Sequence, residues 1–193
     1  MRRLRALVAL VLLIVGVTAC SDDEPAPHDP SSTWSPTGTM EAPSSTAAAV
    51  PIEPRLPDAA REASEAGARA FIAYYWELVN YAQVTGDVKA LKAVSGTNCK
   101  GCAAGIEGIR TLYRDGGRLE GGDYDIEFKV MNELKDADGS GYAFEAKLTA
   151  STGEQTKVDG DGRTTRIPAG SSDVVVVAAW LGSGWRLEAM QLS

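Results

Sequence analysis

Residues 58–193 are predicted to fold as one α+β domain, in which N-terminal helices pack on a curved antiparallel sheet of about four strands. Apolar residues first recur with the period of a helix, between Phe71 and Ala82. From Tyr124 onward they recur with the period of a strand. The two periods occupy separate halves of the domain, which favours α+β over repeated βαβ units.

The longest helix is predicted from near Asp58 to Gly86. Projected at ~100° per residue, the apolar side chains between Phe71 and Ala82 share one broad face, with polar side chains opposite. Trp76 lies beside the polar side. It is either a ring covered by a neighbouring element, or a residue at the rim of a ligand cleft or partner contact.

Two shorter helices follow. Asp87 is a favoured N-cap residue for a helix over residues 88–94, and Asn98 for another over residues 99–114. Gly116 ends the second of these.

The strands are predicted from the alternation of apolar and polar residues, which begins with Tyr124, Ile126, Phe128 and Val130. The alternation resumes over residues 142–148, and a last strand is predicted over residues 185–192. Residues 172–181 are apolar on both faces, which is typical of a central strand. Curled around the helices, such a sheet forms a cone of the kind found in nuclear-transport-factor-like domains.

The N-terminus predicts an exported chain. Basic residues precede an apolar run over residues 6–19, which is shorter than the ~20 residues that span a bilayer and typical of a signal peptide. The run ends at Cys20 after small residues, which resembles a bacterial lipobox. That resemblance implies cleavage after residues 1–19 and a lipid on Cys20 that holds the protein on the extracytoplasmic face of the cell membrane. The alternative is an ordinary secretory signal cut after Ala19.

Residues 20–57 are predicted to form a disordered tether between this anchor and the domain. They contain all but one of the nine prolines in the chain, together with many Ser, Thr and Ala residues. Such a composition buries too little apolar surface to offset the entropy of ordering. The single histidine, His28, also lies here.

Charge and motifs exclude several classes of function. The formal net charge is −7, and within residues 58–193 lysine and arginine form no cluster, so a nucleic-acid partner is not expected. No cofactor motif, G-x-S-x-G or H-E-x-x-H is present, and no catalytic residue is assigned. A structural zinc needs four ligands, whereas residues 58–193 hold two cysteines and no histidine, so no metal site is expected.

The spacing Cys99-x-x-Cys102 has three explanations: a disulfide, a redox centre or half of a metal site. A redox pair of the thioredoxin type follows a strand, and here a short helix is predicted instead. Outside the cytoplasm a thiol pair tends to oxidise, and residues i and i+3 of a first helical turn come within disulfide range. We therefore predict a structural disulfide, with redox-active thiols as the alternative.

Aromatic residues supply the candidates for a ligand pocket, because clefts with aromatic walls bind small molecules. The same side chains would also make an ordinary core. They are Tyr74, Tyr75, Tyr113, Tyr124, Tyr142, Trp180 and Trp185.

Acidic patterns are interpreted as surface features. One strand face carries Asp123, Asp125 and Glu127 beside Lys129, which predicts solvation rather than acid–base catalysis. Residues 136–141 mimic the start of a calcium loop, but lysine stands where the loop needs a bidentate glutamate. This segment and residues 159–162 are predicted to be turns.

Two segments resemble a family of actinobacterial lipoproteins that is catalogued as a domain of unknown function. They are AFIAYYWELVNYAQVTGDVKALKAVSGTNCKGCAAGI, residues 70–106, and YRDGGRLEGGDYDI, residues 113–126. The resemblance implies a lipobox, a Pro/Ser/Thr-rich tether and one small domain that carries the C-x-x-C. It implies no activity.

Two functions are therefore considered. The first is a membrane-anchored, non-catalytic binding or accessory module of the cell envelope, whose protein or small-molecule partner is not identified. The alternative is a cone-shaped domain that binds, or acts as an enzyme on, a small ligand in an aromatic-lined pocket. The first is favoured, because the domain lacks histidine and any recognisable pair of nucleophile and base.

Overall fold

The computed structural model describes residues 50–135 and 142–193. The predicted signal peptide, Cys20 and most of the tether lie outside these residues, as does the acidic turn at 136–141. The described residues belong to one compact unit, Ala47–Ser193, which has its own hydrophobic core. A unit of this size with its own core is able to fold independently.

The N-terminal half of the domain is helical, as predicted. A 3-10 helix, Asp58–Arg61, precedes α1 (Glu65–Thr85), α2 (Lys89–Ala93) and α3 (Lys100–Arg114). The C-terminal half consists of antiparallel strands. The described residues therefore have the predicted α+β architecture.

The long helix α1 starts later than predicted. Asp58–Arg61 forms the separate 3-10 turn, and the backbone at Glu62 is extended. The Ser64 hydroxyl accepts a hydrogen bond from the Gly67 N–H at 3.0 Å and caps α1. At the other end Gly86, with φ 75°, terminates the helix as predicted.

The predicted cap residue Asp87 forms a hydrogen bond with the first turn of the short helix α2. Its carboxylate accepts a hydrogen bond from the Lys89 N–H at 2.9 Å. The cap position itself is occupied by Val88, whose side chain makes no capping hydrogen bond. Asp87 thus binds the first turn of α2 from one position earlier than a conventional N-cap.

The main sheet has four strands in the order β2–β3–β6–β7, all antiparallel. Its strands are β2 (Tyr124–Lys135), β3 (Tyr142–Thr152), β6 (Gly170–Trp180) and β7 (Trp185–Leu192). The predicted sheet of about four strands is therefore confirmed, and so is the central position of β6.

A second, three-stranded sheet was not predicted. It has the order β1–β4–β5 and consists of β1 (Arg118–Gly121), β4 (Gln155–Val158) and β5 (Thr164–Ile167). Each of these strands has 4 residues, which is too few to give a clear alternation in the sequence. The predicted turn at 159–162 joins β4 to β5.

A bulge reverses the alternation within β2. The register of the β2–β3 pair shifts at Lys129, which has no partner on β3. Val130 therefore faces outward with 44% of its surface exposed, and Met131 packs against the core instead. The prediction that Val130 lies on the apolar face was wrong, because the extra residue moves every later side chain of β2 to the other face.

The core lies between the helices and one face of the main sheet, which we call the inner face. Here α1 contacts all four strands of that sheet, and α3 packs along β7. The largest fully buried side chains are Tyr75, Phe71, Ile72, Leu78, Leu148, Leu187, Val176 and Cys99. Any space left between these layers is therefore enclosed by helices on one side and strands on the other.

Candidate ligand-binding cleft

A cleft opens between α1, α3 and the inner face of the main sheet, near the end of β3 and the start of β6. Its volume is ≈ 530 Å³, within the usual range for small-molecule sites. From α1 it is lined by Tyr75, Trp76 and Val79, and from α3 by Ile106 and Ile109. Its walls are thus mainly apolar and aromatic.

The cleft follows from a decrease in side-chain size along the paired strands β3 and β6. Leu148 and Val174 face each other on the inner face and are buried. At the next inner position Ala150 faces Ser172, and beyond it Gly170 has no side chain. The small residues leave the space beneath the helices unfilled at this end of the sheet.

Two glycines of α3 shape the wall beside β7. Gly101 lies so close to that strand that a Cβ at this position would be 2.3 Å from the Met190 carbonyl oxygen. At Gly105, one turn later, a Cβ would have no neighbour within 4 Å, and the residue borders the cleft. Gly101 therefore allows the close approach of α3, and Gly105 leaves space unfilled.

A disulfide joins Cys99 and Cys102, as predicted. The Cys99 sulfur accepts a hydrogen bond from the Cys102 N–H at 3.2 Å and caps α3, in place of the predicted cap Asn98. The two cysteines are 1% and 2% exposed, and Cys102 lines the cleft. Reactive cysteines are usually accessible to their partners, so this burial favours a structural role over the redox alternative.

The structure places the predicted pocket aromatics at different sites. Tyr75 and Tyr124 line the cleft. Tyr113 donates a hydrogen bond to the Gln83 carbonyl oxygen and so connects α3 to α1. Tyr74 is buried elsewhere on α1, and its pKa is raised by burial and, to a smaller extent, by nearby carboxylates.

The remaining predicted aromatics, Tyr142, Trp180 and Trp185, lie at the opposite end of the main sheet. The Trp185 ring centroid is 5.4 Å from that of Trp180 and 5.9 Å from that of Tyr142. The Trp185 indole N–H donates to the Glu62 carbonyl oxygen at 3.0 Å, which connects the segment before α1 to the sheet. Trp185 belongs to the core, Tyr142 and Trp180 pack against it half-buried, and none of the three lines the cleft.

Trp76, which the helical projection placed beside the polar side of α1, is 7% exposed and lines the cleft. Its ring centroid is 5.1 Å from that of Tyr124. Asn80 holds Tyr124 in place, since its amide donates to the Tyr124 carbonyl oxygen at 2.9 Å and accepts from the Tyr124 N–H at 2.8 Å. Within the described part of the chain, the Trp76 indole N–H has no hydrogen-bond partner.

The described residues that line the cleft include no Asp, Glu, Lys, Arg or His. A phenol ordinarily ionises near pH ~10, and burial raises the pKa of Tyr75 further, although its hydrogen bond with Ser95 opposes that increase. The polar side chains of the cleft are mainly hydroxyls, among them those of Thr152 and Ser172. The cleft therefore offers hydrogen bonds without a formal charge.

Several acidic side chains outside the cleft pair with neighbouring bases. On the outward face of β2, Glu127 lies 2.6 Å from the Lys129 ammonium. In the β4–β5 hairpin, Asp159 pairs with Lys157 at 2.9 Å and Asp161 with Arg163 at 2.8 Å. Across residues 50–135 and 142–193, no three side chains of metal-ligating type come together. The arrangement agrees with the interpretation of these acids as surface and turn residues.

None of the described helices combines the length and the apolarity needed to cross a bilayer.

Several solved structures resemble the chain at low sequence identity. The intermembrane space region of the chloroplast protein ARC6 is 16% identical, with a TM-score of 0.42 over 65% of this chain and 95% of that one. Aln2 from a Streptomyces species is 14% identical, with a TM-score of 0.38 over 63% and 86%. An uncharacterised protein with a cystatin-like fold from Caulobacter vibrioides is 13% identical, with a TM-score of 0.38 over 66% and 90%. Similarity at this level identifies neither a ligand nor a reaction.

A comparison with curated protein sequences gives no match. A family model does match, over residues 38–191, and it is described as a family of unknown function. The match agrees with the predicted domain of unknown function and covers every described helix and nearly all of the last strand. The chain therefore belongs to the family of unknown function DUF6318.

Proposed function

We propose that this protein is a lipid-anchored module of the cell envelope that binds a small molecule in the cleft between α1, α3 and the main sheet. In this proposal residues 1–19 direct export, Cys20 carries the lipid, residues 20–57 form the tether, and residues 58–193 present the cleft in a cone-like domain. The observation that carries the binding role is the mainly apolar cleft of ≈ 530 Å³.

The cleft lies beside the core, where small side chains on β3 and β6 leave space between the helices and the main sheet. Its walls are also fixed by specific contacts. The disulfide holds the first turn of α3, Gly101 sets the distance of that helix from β7, and Asn80 binds the backbone of Tyr124. A preformed site of this kind loses little entropy when a ligand binds.

The chemistry of the lining supports binding rather than catalysis. General acid–base catalysis uses a group that exchanges a proton near the working pH. The described lining residues supply hydroxyls, phenols and an indole, together with a cysteine that is already in a disulfide. These groups form hydrogen bonds and apolar contacts, which is what recognition of a small molecule requires.

Gly105→Leu is expected to weaken binding of the uncharged fluorophore N-phenyl-1-naphthylamine at least ~10-fold. The new side chain would project where a Cβ has no neighbour within 4 Å, at the border of the cleft, and would occupy space that the ligand needs. A leucine side chain that excludes part of the ligand at a cost of about 1.4 kcal/mol lowers affinity tenfold. A fluorescence titration of the unit Ala47–Ser193 measures the effect.

Gly108→Leu is the matched control. Gly108 lies on the same helix, and its Cβ would also have no neighbour within 4 Å, but the residue does not line the cleft. Both changes replace a helical glycine with a good helix former, so both variants should fold. The cleft is not the binding site if the wild-type domain fails to bind the fluorophore, or if the two leucine variants bind it equally well.

Cys20→Ser is expected to release the protein from the membrane and to abolish incorporation of a labelled fatty acid. The lipid attaches through the Cys20 sulfur in this proposal, so the serine variant loses the anchor that the proposal assigns to the chain. The measurement is membrane fractionation of cells that express the full chain. The double variant Cys99→Ser/Cys102→Ser is the control and should remain membrane-bound and labelled. Equal labelling of the wild type and the Cys20 variant would rule out the proposed anchor.

A further inference from the structure

We infer that the natural occupant of the cleft is an uncharged, mostly apolar molecule whose polar end lies at the open side; the inference rests on the proposed function. Charged residues make up 23% of the chain, yet none of the described residues that line the cleft is charged. The walls instead combine aliphatic, aromatic and hydroxyl side chains. This composition suits a neutral amphiphile.

The charged residue next to Ser172 on β6 points away from the cleft. Asp173 follows Ser172 on β6, so its side chain lies on the outer face of the sheet. There its carboxylate accepts a hydrogen bond from the Thr149 hydroxyl at 2.7 Å. A charged ligand that entered the cleft would therefore lose water without gaining a counter-ion, which opposes its binding.

The distribution of polarity gives the ligand an orientation. The closed side of the cleft is lined by residues whose side chains are almost fully buried, namely Tyr75, Leu91 and Cys102. The open side is lined by Thr152, which is half-buried, and Ser172, which is exposed, and both lie at inner-face positions of their strands. An amphiphile would therefore place its apolar body at the closed side and its uncharged head at the hydroxyl groups.

Two kinds of side chain in the lining carry groups that form hydrogen bonds with a neutral ligand, namely hydroxyls and the indole of Trp76. Hydroxyls both donate and accept hydrogen bonds, whereas the indole N–H only donates. The N–H of Trp76 has no acceptor among the described residues, but the surrounding protein covers its nitrogen. The hydroxyl groups of Thr152 and Ser172 are therefore the groups that would bind an alcohol, ester or ketone oxygen of the ligand.

The test compares decanol, decanoate and decylammonium as competitors of N-phenyl-1-naphthylamine on the unit Ala47–Ser193 at neutral pH. The three compounds share one alkyl chain and differ in the charge of the head. Decanol is expected to bind at least ~10-fold more tightly than either ion, because a charged head beside Thr152 and Ser172 would lose part of its water and gain no counter-ion. The inference is overturned if decanoate or decylammonium competes as well as decanol, or if decanol does not displace the bound fluorophore.

The variant Gly105→Leu separates this inference from the proposed function. If the variant loses fluorophore binding and the ions compete well in the wild type, the cleft is a binding site but its ligand is not restricted to neutral molecules. If fluorophore binding and its displacement are unchanged in the variant, the ligands bind elsewhere and the proposed function fails. The expected result is loss of binding in the variant together with selective displacement by decanol in the wild type.

Discussion

Trp185→Ala is expected to lower the free energy of unfolding of the domain by about 3–5 kcal/mol, the usual cost of deleting a large buried aromatic side chain. Trp185 is 6% exposed, and its ring centroid lies 5.4 to 6.1 Å from those of Tyr142, Phe144 and Trp180. Alanine would leave a cavity among these rings. Urea denaturation of the unit Ala47–Ser193 measures the change.

Trp185→Phe separates the packing of the ring from its hydrogen bond. Phenylalanine retains an aromatic ring but leaves the Glu62 carbonyl oxygen without the indole N–H that now donates to it at 3.0 Å. The Glu62 carbonyl oxygen keeps its hydrogen bond from the Ser64 N–H at 3.0 Å, so the change removes one half-buried hydrogen bond, at a cost of about 0.5–1.5 kcal/mol. This variant should therefore fall between the wild type and Trp185→Ala. Trp180→Phe is the matched control at a less buried ring of the same cluster. An alanine variant as stable as wild type would contradict the structural role of Trp185.

The helices and the main sheet were predictable because burial on one side imposes a period on the sequence. The apolar face of α1 between Phe71 and Ala82 is such a period, and the alternation that begins at Tyr124 is another. The end of α1 at Gly86 was also predictable, since a left-handed residue favours glycine. The disulfide was predictable because its two cysteines lie within one helical turn.

Features that depend on distant contacts left no comparable signal. The β1–β4 pair joins segments far apart in sequence, and neither strand is long enough to show an alternation. The bulge at Lys129 depends on the register with β3, so the sequence of β2 alone continues the wrong alternation through Val130. The break before Ser64 is local, but Asp58 offered an equally plausible start for α1.

The cleft was only partly predictable because it is formed where side chains are small. A search for aromatic walls found Tyr75 and Tyr124 but also selected Trp185, which fills a core at the other end of the sheet. Gly101 and Gly105 recur at helical spacing, and this was the available signal. It is a weak signal, since a glycine in a helix indicates either close packing or open space, and only the neighbouring β7 distinguishes the two.

Alanine at Gly101 and alanine at Gly105 are expected to change stability in opposite directions, although both replace a glycine of the same helix. At Gly101 the new Cβ would lie 2.3 Å from the Met190 carbonyl oxygen, a backbone atom of β7. Either α3 or β7 must move, so we expect a loss of about 1–3 kcal/mol, as for other overpacked sites. At Gly105 the Cβ would meet nothing within 4 Å, and the better helix propensity of alanine should add up to about 1 kcal/mol.

The same pair of variants tests whether the contact between α3 and β7 sets the shape of the cleft. Gly101→Ala forces α3 away from β7 next to Cys102, which lines the cleft, so fluorophore affinity should fall together with stability. Gly105→Ala adds one methyl group at the border and should leave affinity within about threefold of wild type. Urea denaturation and fluorescence titration of both variants give the two readouts. Equal stability of the two alanine variants would refute the close contact at Gly101. If Gly101→Ala is less stable but binds the fluorophore as tightly as wild type, the cleft tolerates movement of α3.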